Sequence, residues 1–226
     1  MSTSRALSVV FAVVACFGSF QVQAATQSHQ LKETFHHPVI LGASVSSGFV
    51  TKSPGDRASE RYTNAANITN LAKSGSYGKD FGGVNMAWVR QFSAVLAIDY
   101  IFWDSTLNDT RASVRNLKNL ISSAAHAGVP LVLGDIPELV FNQSSRASLN
   151  KVIYASCKST ARCYIMKFDQ LHRTASGEGL LINGRRYSYI ELSVDGVHPN
   201  AFAAEYIAGM IVDLLGQDSA PAAVMK

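Results

Sequence analysis

The stretch Ser193-Val194-Asp195-Gly196-Val197-His198-Pro199-Asn200 leads directly into a segment with helical spacing. Between positions 206 and 215 the apolar residues recur every three or four positions, which predicts an amphipathic helix with one buried face. Pro199 and Asn200 are residue types that favour the start of a helix. The stretch is therefore predicted to be a loop that a packed helix holds at one end.

The loop carries an acid and a base, Asp195 and His198, three residues apart. A carboxylate beside an imidazole can fix its tautomer and stabilise its charged form, which makes the imidazole a good general base. Most such pairs are only solvated, so this one needs a matching nucleophile to indicate catalysis. Ser44 is the candidate, since it lies in the small-residue run Gly42–Gly48, where a tight turn after an apolar segment can expose a hydroxyl.

Short apolar segments alternate with amphipathic ones along most of the chain. The segments predicted as strands are 38–42, 68–71, 94–99, 129–134 and 163–168, and those predicted as helices are 84–92, 110–127, 144–158 and the C-terminal segment. Residues 51–64 are polar and predict a surface loop, and Asn183-Gly184 predicts a hairpin turn. The alternation predicts a single α/β domain with a mainly parallel sheet covered on both faces.

The candidate residues are expected to share one edge of this sheet. Ligands of such sheets bind beyond the carboxyl ends of the strands, where Ser44, Gly75, the 100–104 loop and the 193–200 stretch are all predicted to lie. Hydrolysis by a serine also needs N–H donors for the oxyanion of the tetrahedral intermediate. The backbone N–H of Ser44 is one candidate and that of Gly75 is another, although a simple turn also explains Gly75.

Composition limits the class of protein. The chain has 226 residues, 47% of them hydrophobic and 16% charged, which suits one globular domain and excludes a disordered chain or a coiled coil. The formal net charge of +4 is spread along the sequence without a basic block. A nucleic-acid partner is therefore not expected.

The first 24 residues have the pattern of a secretory signal peptide. Arg5 is the only charge, residues 6–20 are almost wholly apolar, and Val22-Gln23-Ala24 has the small-x-small form of a cleavage site. The domain would then occupy residues 25–226 of a secreted or periplasmic protein, with no later transmembrane segment. Lipoprotein anchoring at Cys16 is the alternative, and the apolar run that continues past Cys16 favours soluble export.

Two cysteines, Cys157 and Cys163, follow the leader. In an exported protein such a pair is expected to form a disulfide across a helix-to-strand junction, with two buried thiols as the alternative. No ligand set has the spacing of a metal site, because His36-His37 lacks a third ligand. Neither a metal nor an organic cofactor is therefore expected.

The motifs resemble those of the SGNH (GDSL-type) hydrolase family. The nucleophile block of that family, Gly-Asp-Ser-x-Ser-x-Gly, matches Gly42–Gly48 with Ala43 in place of the aspartate, and its Asp-x-x-His block falls on Asp195 and His198. The resemblance implies that Ser44, His198 and Asp195 form a catalytic triad. It also implies a flavodoxin-like three-layer α/β/α sandwich.

The middle blocks of the family match less well. The second block supplies an oxyanion N–H from a glycine, which falls on Gly75. In the third block, Gly-x-Asn-Asp, Asp104 matches the aspartate but Trp103 stands where the asparagine donor is expected. The indole N–H of Trp103 or the amide of Asn108 could replace that donor. Alternatively, Phe102 and Trp103 line an acyl or sugar pocket.

The sequence thus predicts an exported serine ester hydrolase with an acyl-enzyme mechanism. Its substrates would be small acyl, lipid or carbohydrate acetyl esters. Two alternatives remain open: a non-catalytic carbohydrate- or lipid-binding protein with the same fold, and an acyltransferase in which an alcohol replaces water. The sequence leaves the oligomeric state undetermined.

Overall fold

A computed structural model describes residues 26–139 and 144–217 of the chain. The expected signal peptide and the alternative lipoprotein site at Cys16 lie outside these residues. Among the described helices, none is both long enough and apolar enough to span a bilayer.

Five short strands form one parallel sheet in the order β2-β1-β3-β4-β5. They are β1 (Pro38–Ile40), β2 (Thr69–Asn70), β3 (Ala94–Ala97), β4 (Leu131–Gly134) and β5 (Cys163–Met166). β1, β3 and β4 are buried along their whole length, as expected for strands covered by helices on both faces. All five predicted strands are present, each shorter than predicted.

Helices cover the two faces of the sheet. The helices are α1 (26–34), α2 (Ser44–Ser47), α3 (Pro54–Ser59), α4 (Met86–Val89), α5 (Arg111–Ala127), α6 (Arg146–Lys158), α7 (Phe168–Ser176), α8 (Tyr189–Leu192) and α9 (Ala201–Gly216). Val39 and Val95 face a core formed with α4, α5 and α6. Ile40 and Leu96 face the opposite core, formed with α1, α3 and α9. The predicted three-layer α/β/α sandwich is confirmed.

Local signals set several of these boundaries. Asn200 caps α9, where its side-chain oxygen accepts a hydrogen bond from the N–H of Ala203 at 2.9 Å. Gly128 ends α5 in the left-handed conformation. Asn183 and Gly184 both have positive φ and join the antiparallel strands β6 (Leu180–Ile182) and β7 (Arg185–Tyr187). The predicted hairpin is confirmed.

The prediction of a surface loop over residues 51–64 is wrong. The segment contains α3, where Pro54 occupies the first turn and the hydroxyl of Ser53 accepts hydrogen bonds from the N–H groups of Gly55 and Asp56. Helix α3 packs against α9, and Ala58 is fully buried. Its buried face consists of small residues, which permit close packing but give no strong apolar periodicity in the sequence.

Two other differences concern the helices. The helix predicted over residues 84–92 is limited to α4, and four further helices were not predicted: α1, α2, α7 and α8. The expected disulfide is present: Cys157 at the end of α6 is bonded to Cys163 at the start of β5. It links the helix to the edge strand of the sheet.

Candidate active site

Ser44 lies at the carboxyl edge of the sheet as the first residue of α2. It follows β1 after only three residues, so the strand fixes the position of the short helix. Its side chain lies in the wall of a cavity, and the residue is 4% exposed. The hydroxyl is therefore held on a rigid element near, but not in, bulk solvent.

The carboxylate of Asp99, just past the end of β3, holds the Ser44 turn in place. One oxygen accepts a hydrogen bond from the N–H of Ala43 at 3.0 Å, and the other accepts from Val45 at 2.9 Å and Ser46 at 3.3 Å. Burial raises the pKa of Asp99, and these hydrogen bonds oppose the rise. The N–H of Ser44 is not one of the donors to Asp99, which leaves it available for another acceptor.

Gly42 allows the carboxylate of Asp99 to approach the turn. Its φ of +144° is a conformation that residues with a Cβ rarely adopt. A Cβ at this position would lie 2.0 Å from Oδ1 of Asp99. Glycine is therefore required at position 42 both by the backbone and by the neighbouring carboxylate.

His198 lies in a self-contained loop just before α9. An antiparallel bridge pairs Ser193 with Pro199, and the N–H of Val194 donates to the carbonyl of His198 at 2.9 Å. Gly196 has φ of +81° and lets the loop reverse direction. The loop therefore keeps its shape mainly through bonds among its own residues.

Within this loop, Asp195 orients the imidazole. Its Oδ1 accepts from the N–H groups of Val197 at 3.0 Å and His198 at 2.9 Å, and its Oδ2 lies 2.7 Å from Nδ1 of His198. Desolvation raises the pKa of Asp195, but the hydrogen bonds from His198 and Val197 outweigh it and hold the pKa below its ordinary value. An ionised carboxylate can only accept, so Nδ1 carries the proton and the lone pair lies on Nε2.

Nε2, which carries the lone pair, is the basic atom of the Asp195–His198 pair. Nε2 of His198 is buried and has no hydrogen-bond partner among the described residues, so the Ser44 hydroxyl does not donate to it in this structure. The ring of Phe49 lies 5.6 Å from the His198 ring, and the N–H of Phe49 donates to the carbonyl of Ser44. Ser44 also lines the same cavity as Val197 and Pro199. The structure thus brings Ser44 and His198 to one edge of the sheet.

Gly75 lies in an exposed turn after β2, with φ of +76°. The turn is connected to the serine segment, because the N–H of Lys73 donates to the carbonyl of Gly42 at 3.0 Å. The side chain of Asn70 adds a second connection, since its Nδ2 donates to the carbonyl of Ser46 at 3.0 Å. The two segments with the proposed oxyanion donors are therefore anchored to each other.

The third-block residues occupy different environments. Trp103 is half-buried at the start of a 3₁₀ turn, with its ring edge-on to Phe102, which lines the cavity. Asn108 is exposed. Asp104 is buried and accepts hydrogen bonds from the N–H of Gly78 and from the hydroxyl of Ser113, and the second of these connects it to α5. Its carboxylate is thus engaged away from Ser44.

A partly enclosed cavity of about 130 Å³ opens beside Ser44. Its walls come from the ends of β3 and β4, from α7 and α8, and from the start of α9. Asp135, which follows β4, lines it and accepts hydrogen bonds from the hydroxyl of Tyr154 at 2.7 Å and the N–H of Asp169 at 2.8 Å. The contribution of α7 was missed because that helix was not predicted.

Within residues 26–139 and 144–217, no group of three or more His, Cys, Asp and Glu side chains could hold a metal ion.

No protein-family model matches the sequence, and no curated protein sequence matches it. Solved structures do resemble it. The psychrotrophic esterase EstA from Pseudoalteromonas sp., in a form inhibited by monoethylphosphonate, is 16% identical, with a TM-score of 0.53 over 80% of this chain and 97% of that one. A proposed acylhydrolase from Bacteroides fragilis is 13% identical, with a TM-score of 0.55 over 81% of this chain and 88% of that one.

The fold is that of the SGNH (GDSL-type) hydrolases. A GDSL-like lipase from Bacteroides thetaiotaomicron is also similar, at 14% identity and a TM-score of 0.49 over 81% of this chain and 87% of that one. At these identities the likeness concerns the fold. Within the SGNH fold of this chain, Ser44 follows the first strand and the Asp195–His198 loop precedes the last helix, the order that the sequence motifs predicted.

Proposed function

We propose that the protein is an exported serine ester hydrolase in which Ser44, His198 and Asp195 form the catalytic triad. The observation that carries the proposal is the geometry around His198. Asp195 accepts the Nδ1 proton, and the Nε2 lone pair is left without a partner at the edge of the sheet that carries Ser44. An imidazole held in this tautomer is prepared to take a proton from a hydroxyl.

In the first half of the reaction, the Ser44 oxygen attacks the ester carbonyl carbon while Nε2 of His198 takes the hydroxyl proton. The bond to the alcohol then breaks, and the imidazolium returns that proton to the leaving oxygen. In the second half, water attacks the carbonyl carbon of the acyl-Ser44 ester while Nε2 takes a proton from it, and the imidazolium returns that proton to the Ser44 oxygen as the acid leaves. Asp195 orients the imidazole and stabilises its charged form in both halves.

The oxyanion would be held by backbone N–H groups. The N–H of Ser44 is not bound by Asp99, and Gly75 lies on a turn anchored to the serine segment. Removing one oxyanion donor typically costs about 100- to 1,000-fold in rate. Because Trp103 stands in place of the family's asparagine, turnover is expected to depend strongly on these two donors.

A direct test is the hydrolysis of p-nitrophenyl butyrate by the purified mature protein beside Ser44→Ala and His198→Ala. Each variant should lose roughly 10⁶-fold in kcat, as when the serine or histidine of a comparable triad is removed. Ser122→Ala and His126→Ala, both at exposed positions of α5, serve as matched controls. Equal background rates in the native protein and in all four variants would contradict the proposal.

A phosphonate provides a test that does not depend on guessing the substrate. The EstA esterase with the same fold was crystallised in a form inhibited by monoethylphosphonate. A fluorophosphonate should likewise label this protein, and labelling should be absent in Ser44→Ala.

A further inference from the structure

The cavity beside Ser44 has walls made mostly of hydrocarbon. The side chains that supply them include Phe102, Phe168, Leu171, Ala175, Leu192 and Ile207. They belong to loops and helices at the same edge of the sheet as Ser44, so the apolar walls and the serine line one cavity. Apolar groups are stabilised when such walls remove them from water.

The two carboxylates of the cavity are already engaged, whereas the buried Nδ1 of His172 has no hydrogen-bond partner among the described residues. Asp99 accepts three backbone N–H groups, and Asp135 accepts from Tyr154 and Asp169. Desolvation lowers the pKa of His172, consistent with a poorly hydrated wall. A sugar placed here would bury more hydroxyls than Nδ1 of His172 could bind, which costs free energy, whereas an alkyl chain would bury none.

The size of the cavity limits the length of that chain. Its volume of about 130 Å³ is close to that of an apolar cavity of about 150 Å³ that stays dry and binds benzene. Benzene has six carbons, so a cavity of this size suits an acyl chain of about six carbons. An acetyl group would leave most of the wall without contacts, and a long lipid chain would extend beyond it.

We propose that this cavity binds the acyl chain of the ester, and that the protein prefers aliphatic acyl groups of about four to eight carbons over acetyl groups. The inference rests on the proposed function, because it takes Ser44 as the residue that attacks the carbonyl. It narrows the substrates from acyl, lipid or carbohydrate acetyl esters to medium-chain acyl esters.

The test measures kcat/KM for p-nitrophenyl esters from acetate to dodecanoate, a series in which only the acyl chain changes. Each fully buried methylene is worth about fourfold in kcat/KM, and hexanoate has four more methylenes than acetate. The kcat/KM of hexanoate should therefore exceed that of acetate by roughly 10- to 250-fold, with the upper value reached when all four methylenes are fully buried. The value should fall again for chains longer than the cavity.

Two variants connect the preference to the cavity. Ala175→Leu adds three carbons to the wall and should reduce the advantage of hexanoate over acetate by about tenfold. Ala155→Leu, at an exposed position of α6, is the matched control and should keep the native preference. If Ala175→Leu does not fold, Leu171→Ala enlarges the cavity instead and should move the optimum towards longer chains.

The outcomes separate the two proposals. Hydrolysis that depends on Ser44 but is fastest with acetate overturns the chain-length inference and leaves the esterase proposal standing. An optimum that stays unchanged in both Ala175→Leu and Leu171→Ala also overturns it. Failure to hydrolyse any ester of the series, together with no Ser44-dependent phosphonate labelling, overturns both.

Discussion

The two halves of the candidate site each depend on an aspartate, but the two carboxylates have opposite surroundings. Asp99 is buried and binds N–H groups 53 to 56 positions away in the sequence. Asp195 has a side chain that is 47% exposed, and it binds groups two and three positions away. The serine half, which is the turn Gly42–Gly48, is thus held by the tertiary fold. The histidine half, which is the loop of residues 193–200, is held by bonds among its own residues.

This difference separates structural from chemical roles. Asp99 fixes the backbone that presents the hydroxyl, so its loss should affect both the stability of the fold and the position of Ser44. Asp195 contributes mainly to the tautomer and charge of one imidazole, so its loss should affect the chemistry and leave the stability almost unchanged.

Among the substitutions that compare the two aspartates, Asp195→Asn is expected to have the largest effect. Replacing the carboxylate with an amide favours the wrong tautomer of His198, and kcat should fall by about 10,000-fold. The melting temperature should change little, because the bonds that are lost lie at a largely exposed side chain. Kinetics on a p-nitrophenyl ester and thermal unfolding together measure both effects. A large drop in stability would mean that Asp195 supports the fold as Asp99 does.

The pH dependence follows from the same carboxylate. Because the pKa of Asp195 is lowered in the folded protein, its contribution to stability is present above the ordinary pKa of an aspartate and is lost as the pH falls through the lowered value. In Asp195→Asn this part of the acid-induced loss of stability should be absent. Urea unfolding at a series of acidic pH values would measure it, and identical profiles for both proteins would contradict the assignment.

Asp99→Asn should give the next largest effect. One amide oxygen cannot accept from the N–H groups on both sides of Ser44, and the new NH₂ would face one of those donors. Leaving a buried donor unpaired costs about 1–3 kcal/mol of stability, and a displacement of the hydroxyl by about 1 Å can cost about 100-fold in kcat. Both quantities should therefore decrease together.

Asp104→Asn is the matched control for that variant. Asp104 is also a buried aspartate, but it binds Gly78 and Ser113 rather than the serine segment. Its replacement should lower stability while the kcat of the folded protein stays near the native value. Equal losses of kcat in the two variants would show that the effect is general rather than local to Ser44.

Substitutions at Gly42 and Gly196 compare how strongly the serine half and the histidine half depend on their backbone conformations. A Cβ at position 42 would combine an unfavourable φ with the 2.0 Å approach to Asp99, whereas Gly196 has φ of +81° and open space around it. Gly196→Ala should cost about 1–2 kcal/mol, the price of a left-handed conformation. Gly42→Ala should cost more and should also lower kcat. Denaturant unfolding of both variants measures which one loses more stability.

The smallest effect is expected at the cap of α9. Asn200→Ala removes the hydrogen bond that its side-chain oxygen accepts from the N–H of Ala203 and the exposed one that its Nδ2 donates to the carbonyl of Glu191. It should lower the free energy of unfolding by about 1 kcal/mol. Because the histidine loop is held by its own bonds, kcat should change little. A loss of kcat far beyond the loss of stability would show that the loop depends on its attachment to the helix.

The histidine half could be predicted from the sequence because its causes are local. Asp195, His198 and the cap at Asn200 lie within six residues, and the periodicity that follows them defines α9. The strands were also predictable, since burial on both faces leaves continuous apolar runs such as β4. These features depend on residues close to one another in the chain.

The support of the serine half could not be predicted in the same way. Asp99 meets Ala43 across 56 positions, and only because β1 and β3 are neighbours in the sheet. A signal was present, since Ala43 lacks the carboxylate of the family motif and Asp99 follows the adjacent strand. Without the strand order, however, Asp99 could not be identified as the residue that binds the Ser44 turn. Helix α3 was missed because its small buried residues resemble those of a loop.

Labelling with a fluorophosphonate, followed by peptide mapping, tests the central proposal most directly. A single adduct on Ser44 is expected, absent in Ser44→Ala and formed far more slowly in His198→Ala, because the hydroxyl needs the imidazole to take its proton. A protein that stays unlabelled, or that carries the adduct on another serine while Ser44 is unmodified, would contradict the proposal.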